Sequence, residues 1–321
     1  MAAKDKNYFT NIFTALAYYG ISPDTKLKKV TQKNISYFLI SHQKYGITAS
    51  LDICQMPEYK KDKQIYKTLI EYYLSLLIFN LNSVNAIPRF IFTTLSFPEK
   101  TPEDSVSSIF GIINRIASSA GLLQAGGLFQ KNRKKHISLN LSAYGETAES
   151  CFLNNLNPVS DSTIYYTGNV FADDLKAKTT DTDNLSRIPK SCLLNRLENQ
   201  ELNDIIFKSY NPYYIVPASY SLIKIMKDII QSNNACEINM DDLFPNISNF
   251  DNNDTDMIKI LLNGNCYCGL FFISTKRIDQ KFYNSFPITP IGSISGNTTK
   301  PLIKIKFKKT LLETNRLEDI L

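Results

Sequence analysis

The segment from Thr101 to Ala125 carries the strongest local pattern in this sequence. Thr101 is a good N-cap, and Pro102 suits the first position of a helix because its missing N–H would have no partner there. From Val106 onward, apolar residues recur every three or four positions until the pair Gly126-Gly127 ends the pattern. The pattern predicts an amphipathic helix whose apolar stripe packs into a core.

Other segments extend this picture, with helical patterns early in the chain and strand patterns late. Helices are predicted at 7–19 and at 34–44, and a third begins at about Asp62 and continues into the apolar run that ends at Leu81. A later helix is predicted at 217–231. Strands are predicted at 163–171, 266–275 and 301–309, and in the last of these Ile303, Ile305 and Phe307 should face the core. Such an order indicates an α+β fold with a predominantly helical N-terminal half and a mixed helix and strand C-terminal half. We expect a helical region at 1–130 and a mixed region at 131–321, which could also form one continuous domain.

The composition is that of an intracellular globular protein. The chain has 321 residues, of which 43% are hydrophobic, and its net charge is +6. The longest apolar run, from Leu74 to Leu81, is much shorter than the roughly 20 residues that a membrane-spanning helix needs. The six cysteines have irregular spacing, which favours reduced thiols in the cytoplasm. Cys266 and Cys268 have no second pair at metal-ligand spacing, so no metal or other cofactor is expected.

Charge clusters supply the main functional signal. A basic run comes directly after the clearest helix. On the C-terminal strand, lysines occupy every second position, at a spacing of about 6.6 Å, which is close to one phosphate step along an extended single strand of nucleic acid. These cations are the predicted nucleic-acid-binding residues: Lys131, Arg133, Lys134, Lys135, Lys304, Lys306 and Lys308. The alternative is that they form solvated faces, or that lysines protect an edge strand against aggregation.

Three functions follow from these patterns. The first is a noncatalytic intracellular subunit of a larger assembly, which contacts nucleic-acid backbone and packs against other protein subunits. The second is a structural subunit of a viral or secretion complex, in which the same lysines meet acidic protein partners. The third is an enzyme whose site is assembled only in the fold, around His136 or a carboxylate near Asp173. The sequence favours the first over the enzyme.

Overall fold

A computed structural model describes the chain over residues 27–28, 35–41, 44–56, 63–133, 136–148, 161–170, 193–218, 222–230, 235–243, 258, 262, 267–277, 288–296, 302–308 and 310–314. The chain divides into two compact units, and each is described by itself. The first unit holds Met1–Phe152 and Leu193–Gln200, and the second holds Leu153–Cys192 and Glu201–Leu321. The boundary that we expected after residue 130 stays a prediction. No helix in the described ranges is long and apolar enough to cross a bilayer.

The first unit is built on a sheet of six strands with two helices. Its strands are β1 (Leu27–Lys28), β2 (Ile35–Ser41), β3 (Lys44–Met56), β4 (Ile87–Pro98), β5 (Leu123–Asn132) and β6 (Ile137–Ala148). Its helices are α1 (Lys63–Asn82) and α2 (Glu103–Ser119). The spatial order is β1-β2-β3-β6-β4-β5, antiparallel except for the parallel pair of β4 and β5 that α2 connects.

One face of this sheet is apolar and packs against the helices. In the ladder between β4 and β6, Leu95 lies opposite Leu139 and Ile91 lies opposite Ala143, and all four side chains are buried. The apolar side of α2, which includes Ile109 and other buried residues of the predicted stripe, is buried as well. Because side chains alternate along a strand, the residues between these apolar positions lie on the other face of the sheet.

The expectation of a predominantly helical N-terminal half is wrong. Within the segment 34–44, Ile35–Ser41 form β2 and Lys44 begins β3, and β3, β4 and β6 together make the centre of a sheet. A short run such as that around Tyr37 and Phe38 is rich in aromatic and β-branched residues, and its spacing alone does not distinguish a buried strand from a helix. Helix α1 is confirmed, and α2 is confirmed up to Ser119, whereas Leu123 already belongs to β5. The helix predicted at 7–19 lies outside the described residues.

The second unit is built on a sheet of seven strands. Its strands are β7 (Ser162–Val170), β8 (Tyr214–Pro217), β9 (Ala235–Asn239), β10 (Tyr267–Ser274), β11 (Ile288–Ser295), β12 (Ile303–Phe307) and β13 (Thr310–Thr314), in the spatial order β13-β12-β9-β11-β7-β10-β8. Helix α3 spans Arg196–Asp204, and its C-terminal part belongs to this unit. The other helical elements are a π-helical turn (Ile205–Tyr210), α4 (Leu222–Ile230) and α5 (Met240–Leu243). Strands β9 and β12 are parallel, and the other neighbours are antiparallel.

The core of this second sheet confirms much of the predicted C-terminal pattern. Ile303, Ile305 and Phe307 are buried in one cluster with residues of α4 that include Met226 and Ile229. Elsewhere in the unit, Tyr165 stacks on Phe272 with 5.1 Å between ring centroids, and Tyr210 meets both rings edge-on. Such aromatic contacts add directional attraction to the burial of apolar area. The predicted strands at 163–171 and 266–275 appear as β7 and β10.

A capping box starts helix α3 and gives a first testable prediction. The backbone N–H of Glu198 donates to Asn195 Oδ1 at 3.0 Å, and the backbone N–H of Asn195 donates to Glu198 Oε2 at 2.7 Å. We expect Asn195→Ala to lower the free energy of unfolding by about 1 kcal/mol, because it removes the acceptor for one N-terminal N–H. Urea denaturation followed by circular dichroism measures this change. Glu201→Ala, at an exposed position of the same helix, should change it by only about 0.5 kcal/mol or less.

Candidate functional site

The face of the first sheet that lies opposite the helices carries a row of polar side chains. On β4 and β6 these residues alternate with the buried apolar ones, so they follow from the period of two along each strand. We call this surface the polar face, and it consists of Thr94, Ser96, Asn132, Ser138, Asn140 and Ser142. Ladder pairing brings Thr94 opposite Asn140 and Ser96 opposite Ser138 on adjacent strands. Hydroxyl and amide groups therefore lie side by side across three strands.

Hydrogen bonds between these side chains hold the polar face in a defined arrangement. Asn132 Nδ2 donates to Ser96 Oγ at 2.6 Å and connects β5 to β4. Ser142 Oγ donates to Asn140 Oδ1 at 3.3 Å within β6. Ser142 is buried, whereas Asn140 and Thr94 are partly exposed. The face thus presents fixed donors and acceptors at partly accessible positions, which is a frequent property of ligand sites.

Strand β3 adds a carboxylate position to this row. Asp52 lies directly opposite Asn140 in the ladder between β3 and β6, and Ser50 lies opposite Ser142. Residues that are paired in a ladder share a face of the sheet, so Asp52, Asn140 and Thr94 occupy consecutive positions across β3, β6 and β4. The register between β3 and β6 shifts just beyond Asp52, between Ile53 and Met56. Such bulges often occur next to active sites, where they redirect the chain.

One end of the same face carries an aromatic and charged group. Tyr144 stacks on Phe90 with ring centroids 5.7 Å apart, and its hydroxyl donates to Glu146 Oε1 at 3.4 Å. Arg89, which the ladder between β4 and β6 skips, places its Nε 3.9 Å from Glu146 Oε2. Burial raises the pKa of Tyr144 well above its ordinary value, and the Glu146 carboxylate raises it further. The phenol therefore stays protonated and acts as a donor over the physiological pH range.

The regular pairing of β5 with β4 is interrupted at Ala125, which has no partner in the ladder and directly precedes a glycine pair. The register shifts between Ile91 and Phe92, where Gln124 and Gly126 are the partners on β5. Gln124 Nε2 closes this irregularity by donating to Gly126 O at 2.7 Å and to Thr93 Oγ1 at 3.1 Å. Its Oε1 is buried without a hydrogen-bond partner among the described residues. The side-chain amide thus holds the backbone of the glycine pair in place.

The donor set of the polar face suits a phosphate ligand that brings its own cation. Among the described residues, no group of three or more His, Cys, Asp or Glu could hold a metal ion. The ladder places Asp52 at the position next to Asn140, and Mg²⁺ in proteins is often bound through one or two carboxylates together with substrate phosphates. Hydroxyl and amide groups can also donate to phosphate oxygens or to sugar hydroxyls.

The structure does not collect the predicted basic residues on the polar face. Lys131 and Arg133 lie at the exposed end of β5, and His136 is exposed just before β6. Lys134 and Lys135 lie outside the described residues.

The three C-terminal lysines belong to the second unit, and two of them have local partners. Lys304 Nζ lies 2.8 Å from Glu313 Oε1 on β13, and this contact raises the pKa of Lys304. The backbone N–H of Lys308 donates to Asp241 Oδ1 at 2.7 Å, and its ammonium group lies 5.4 Å from the centroid of the Phe307 ring. Lys306 is exposed. That these residues bind nucleic acid stays an untested prediction.

Comparison of the sequence with protein-family models and with curated proteins gives no match. Comparison of the structure gives strong matches to solved proteins. Thiamine-monophosphate kinase from Aquifex aeolicus is 15% identical, with a TM-score of 0.59 over 97% of this chain and 99% of that one. The same kinase from Stenotrophomonas maltophilia is 16% identical, with a TM-score of 0.60 over 91% of this chain and 95% of that one.

A third match is larger than this protein. PurL of T. maritima in complex with ATP is 10% identical, with a TM-score of 0.63 over 93% of this chain and 47% of that one. The chain therefore spans about half of PurL and nearly all of the kinases. Related structures in the same comparison are AaThiL with AMPPCP and TMP, and the hydrogenase maturation protein HypE with ATP. At these identities the likeness shows a shared fold.

This fold contradicts our expectation of a noncatalytic subunit that contacts nucleic acid. The solved proteins named above that share it along most of this chain include thiamine-monophosphate kinases and a hydrogenase maturation protein in complex with ATP. The fold is a mixed α/β fold in which strands predominate among the described residues. An enzyme whose site is assembled only in the fold, which we held as an alternative, agrees better with these findings.

Sequence reasoning missed the polar face, although a signal for it was present. The stretch Ile137-Ser-Leu-Asn-Leu-Ser142 alternates apolar and polar residues, which is the pattern of a strand with one buried face. Asp52 gave no comparable signal because it is a single acidic residue in an otherwise apolar and hydroxyl-rich segment. Only the pairing of β3 with β6 brings it beside Asn140. Two residues were proposed for the enzyme alternative. His136 lies at an exposed position, and Asp173 lies outside the described residues.

Proposed function

We propose that this protein is an ATP-binding enzyme that transfers a phosphoryl group from ATP to a small molecule. The observation that carries the proposal is the shared fold with thiamine-monophosphate kinase along almost the full length of both chains. Solved proteins of this fold bind ATP or AMPPCP, and one of these complexes also contains TMP. A fold hosts many chemistries, so the identity of the acceptor has to come from the site and not from the likeness.

The polar face is the proposed site for the nucleotide and its cation. Asp52 would be the residue that holds Mg²⁺, which would supply neutralisation of phosphate charge during transfer. Asn140 and Thr94, on the two neighbouring strands, would position the phosphates through hydrogen bonds. Phosphoryl transfer requires positioning and charge stabilisation more than covalent chemistry by the protein. The polar face, with Asp52 at the neighbouring position, would supply both.

Nucleotide binding is the direct test of this proposal. We expect isothermal titration calorimetry to show saturable binding of AMPPCP that requires Mg²⁺ and is lost when EDTA is added. With ATP and TMP present, phosphorus NMR should then show ADP and a new phosphorylated product if TMP is an acceptor. Formation of ADP only with another acceptor would leave the ATP site in place and reject TMP as the substrate. Absence of any binding of ATP or AMPPCP at millimolar concentration, with and without Mg²⁺, would show that the proposed function is wrong.

A further inference from the structure

Strand β5 forms an open edge of the first sheet. Among the described residues it pairs only with β4, and no described strand pairs with its other side. Three of the five exposed large apolar side chains in the described part of the chain lie on this strand. They are Leu123, Leu128 and Phe129, which are 60%, 48% and 44% exposed. A long edge with exposed apolar residues is a template for strand addition.

The charge of this edge is of one sign. The sequence from Ser105 to Gly145 contains no Asp or Glu, whereas it contains five Lys and Arg residues. Lys131 and Arg133 are exposed at the C-terminal end of β5. The nearest acidic residue along the paired strand is exposed Glu99, which follows Pro98, the partner of Asn132 on β4. An acidic partner could therefore gain both ladder hydrogen bonds and ion pairs at this edge.

We propose that β5 is a docking edge for an extended acidic segment of a partner protein. A second copy of this chain is a poorer occupant, because its own β5 and the flanking residues would bring no carboxylate to Lys131 or Arg133. The proposal is independent of the ATP-binding function. It assigns a role to Lys131 and Arg133, which do not belong to the polar face.

The alternation of side chains along β5 sets the pattern of the partner. Phe129 and Lys131 share the face on which α2 lies, and Phe129 packs edge-on against Phe110 of α2 with 5.1 Å between ring centroids. Leu128 lies on the opposite face, next to Thr94 in the ladder. A partner strand therefore needs apolar residues opposite Leu128 and Phe129 and acidic residues opposite Lys131 and beyond. This pattern distinguishes the site from a surface that attracts any anion.

The test uses the full chain and a labelled peptide as long as β5, which has 10 residues. The probe has two adjacent valines to lie opposite Leu128 and Phe129, threonines at its other positions and two glutamates near one end, and a second probe carries lysines in place of the glutamates. We expect fluorescence anisotropy to show saturable binding of the acidic probe only. The double variant Lys131→Glu/Arg133→Glu should bind the acidic probe about tenfold more weakly and the lysine probe more tightly. This exchange of preference requires a folded protein, so it separates loss of the site from misfolding.

Three controls decide between strand addition and other modes of binding. Lys276→Glu/Lys306→Glu, at exposed positions of the second unit, should leave both affinities unchanged. A version of the acidic probe with alternate amides N-methylated should not bind, because it cannot complete the ladder. Equal binding of the methylated probe would reject strand addition, and unchanged affinity in the β5 double variant would reject the docking edge.

Two further outcomes would overturn the choice of partner. Sedimentation analysis could show a dimer that does not bind the peptide and that dissociates when Leu128→Lys is introduced. This result would assign the edge to a second copy of the chain. Tighter binding of a single-stranded oligonucleotide than of the acidic probe, lost in the same double variant, would assign the basic end to nucleic acid. A monomer that binds the acidic probe and not the oligonucleotide supports the proposal.

Discussion

Gly269→Ala is expected to destabilise the second unit by about 3 kcal/mol or more. Gly269 of β10 lies opposite Gly168 of β7, and neither strand is an edge strand of the seven-stranded sheet. A Cβ atom on Gly269 would overlap the carbonyl oxygen of Thr167 and would lie 2.9 Å from Gly168 Cα. These are backbone atoms of a central strand, so they cannot move aside without breaking the ladder. Interiors at native packing density give little room for such a shift.

The neighbourhood of this glycine pair strengthens the expectation. Gly168 has a φ of 128°, a conformation that residues with a side chain rarely adopt. Tyr166 lies on the same face of the sheet, and its hydroxyl donates to Cys268 O at 3.3 Å. Displacement of β10 from β7 would therefore also disturb this buried hydrogen bond.

Urea denaturation of Gly269→Ala, followed by circular dichroism, measures the change in the free energy of unfolding. Gly111→Ala is the matched control, since it makes the same chemical change in the middle of α2, where nothing lies within 4 Å of the added atom. It should stabilise the protein by about 0.5–1 kcal/mol because glycine is a poor helix former. A Gly269→Ala protein with the stability of the wild type would show that the close approach of β7 and β10 is absent in solution.

Asp52→Asn is expected to lower the rate of ATP-dependent phosphoryl transfer by about 100-fold or more. The substitution keeps the size of the side chain and removes the negative charge that would hold Mg²⁺ beside Asn140 and Thr94. The affinity for AMPPCP in the presence of Mg²⁺ should fall as well, whereas affinity measured in EDTA should change little. This difference between the two conditions identifies a metal ligand and would not result from a general loss of structure.

Asp161→Asn is the control for the loss of one carboxylate. Asp161 is exposed in a turn of the second unit, and its φ of 63° is a conformation that asparagine also accepts. Its transfer rate and affinity for AMPPCP should match those of the wild type. If Asp52→Asn behaved in the same way as Asp161→Asn, the cation site would have to lie elsewhere in the protein, and the polar face would lose its proposed role.

Patterns with a long, regular period could be predicted from the sequence. Helix α2 shows its apolar stripe in the sequence, although its N-cap is Pro102 and not the predicted Thr101, and β12 shows strict alternation from Ile303 to Phe307. The sheet of the first unit could not be predicted in the same way. Its strands β2 and β4 contain short apolar runs whose spacing fits a helix as well as a strand, so neighbouring strands decided their conformation.

The sequence by itself determined the local elements with clear periodicity, the burial of alternate residues in β12, and the positive charge of the segment that contains β5. Tertiary structure decided which of these residues meet. The ladder register placed Asp52 beside Asn140 although 88 positions separate them in the sequence, since 140 − 52 = 88. It also left β5 at the edge of its sheet and paired two glycines on adjacent strands inside the other sheet. Register depends on long-range packing of whole faces, and a short stretch of sequence holds too little of that information to reveal it.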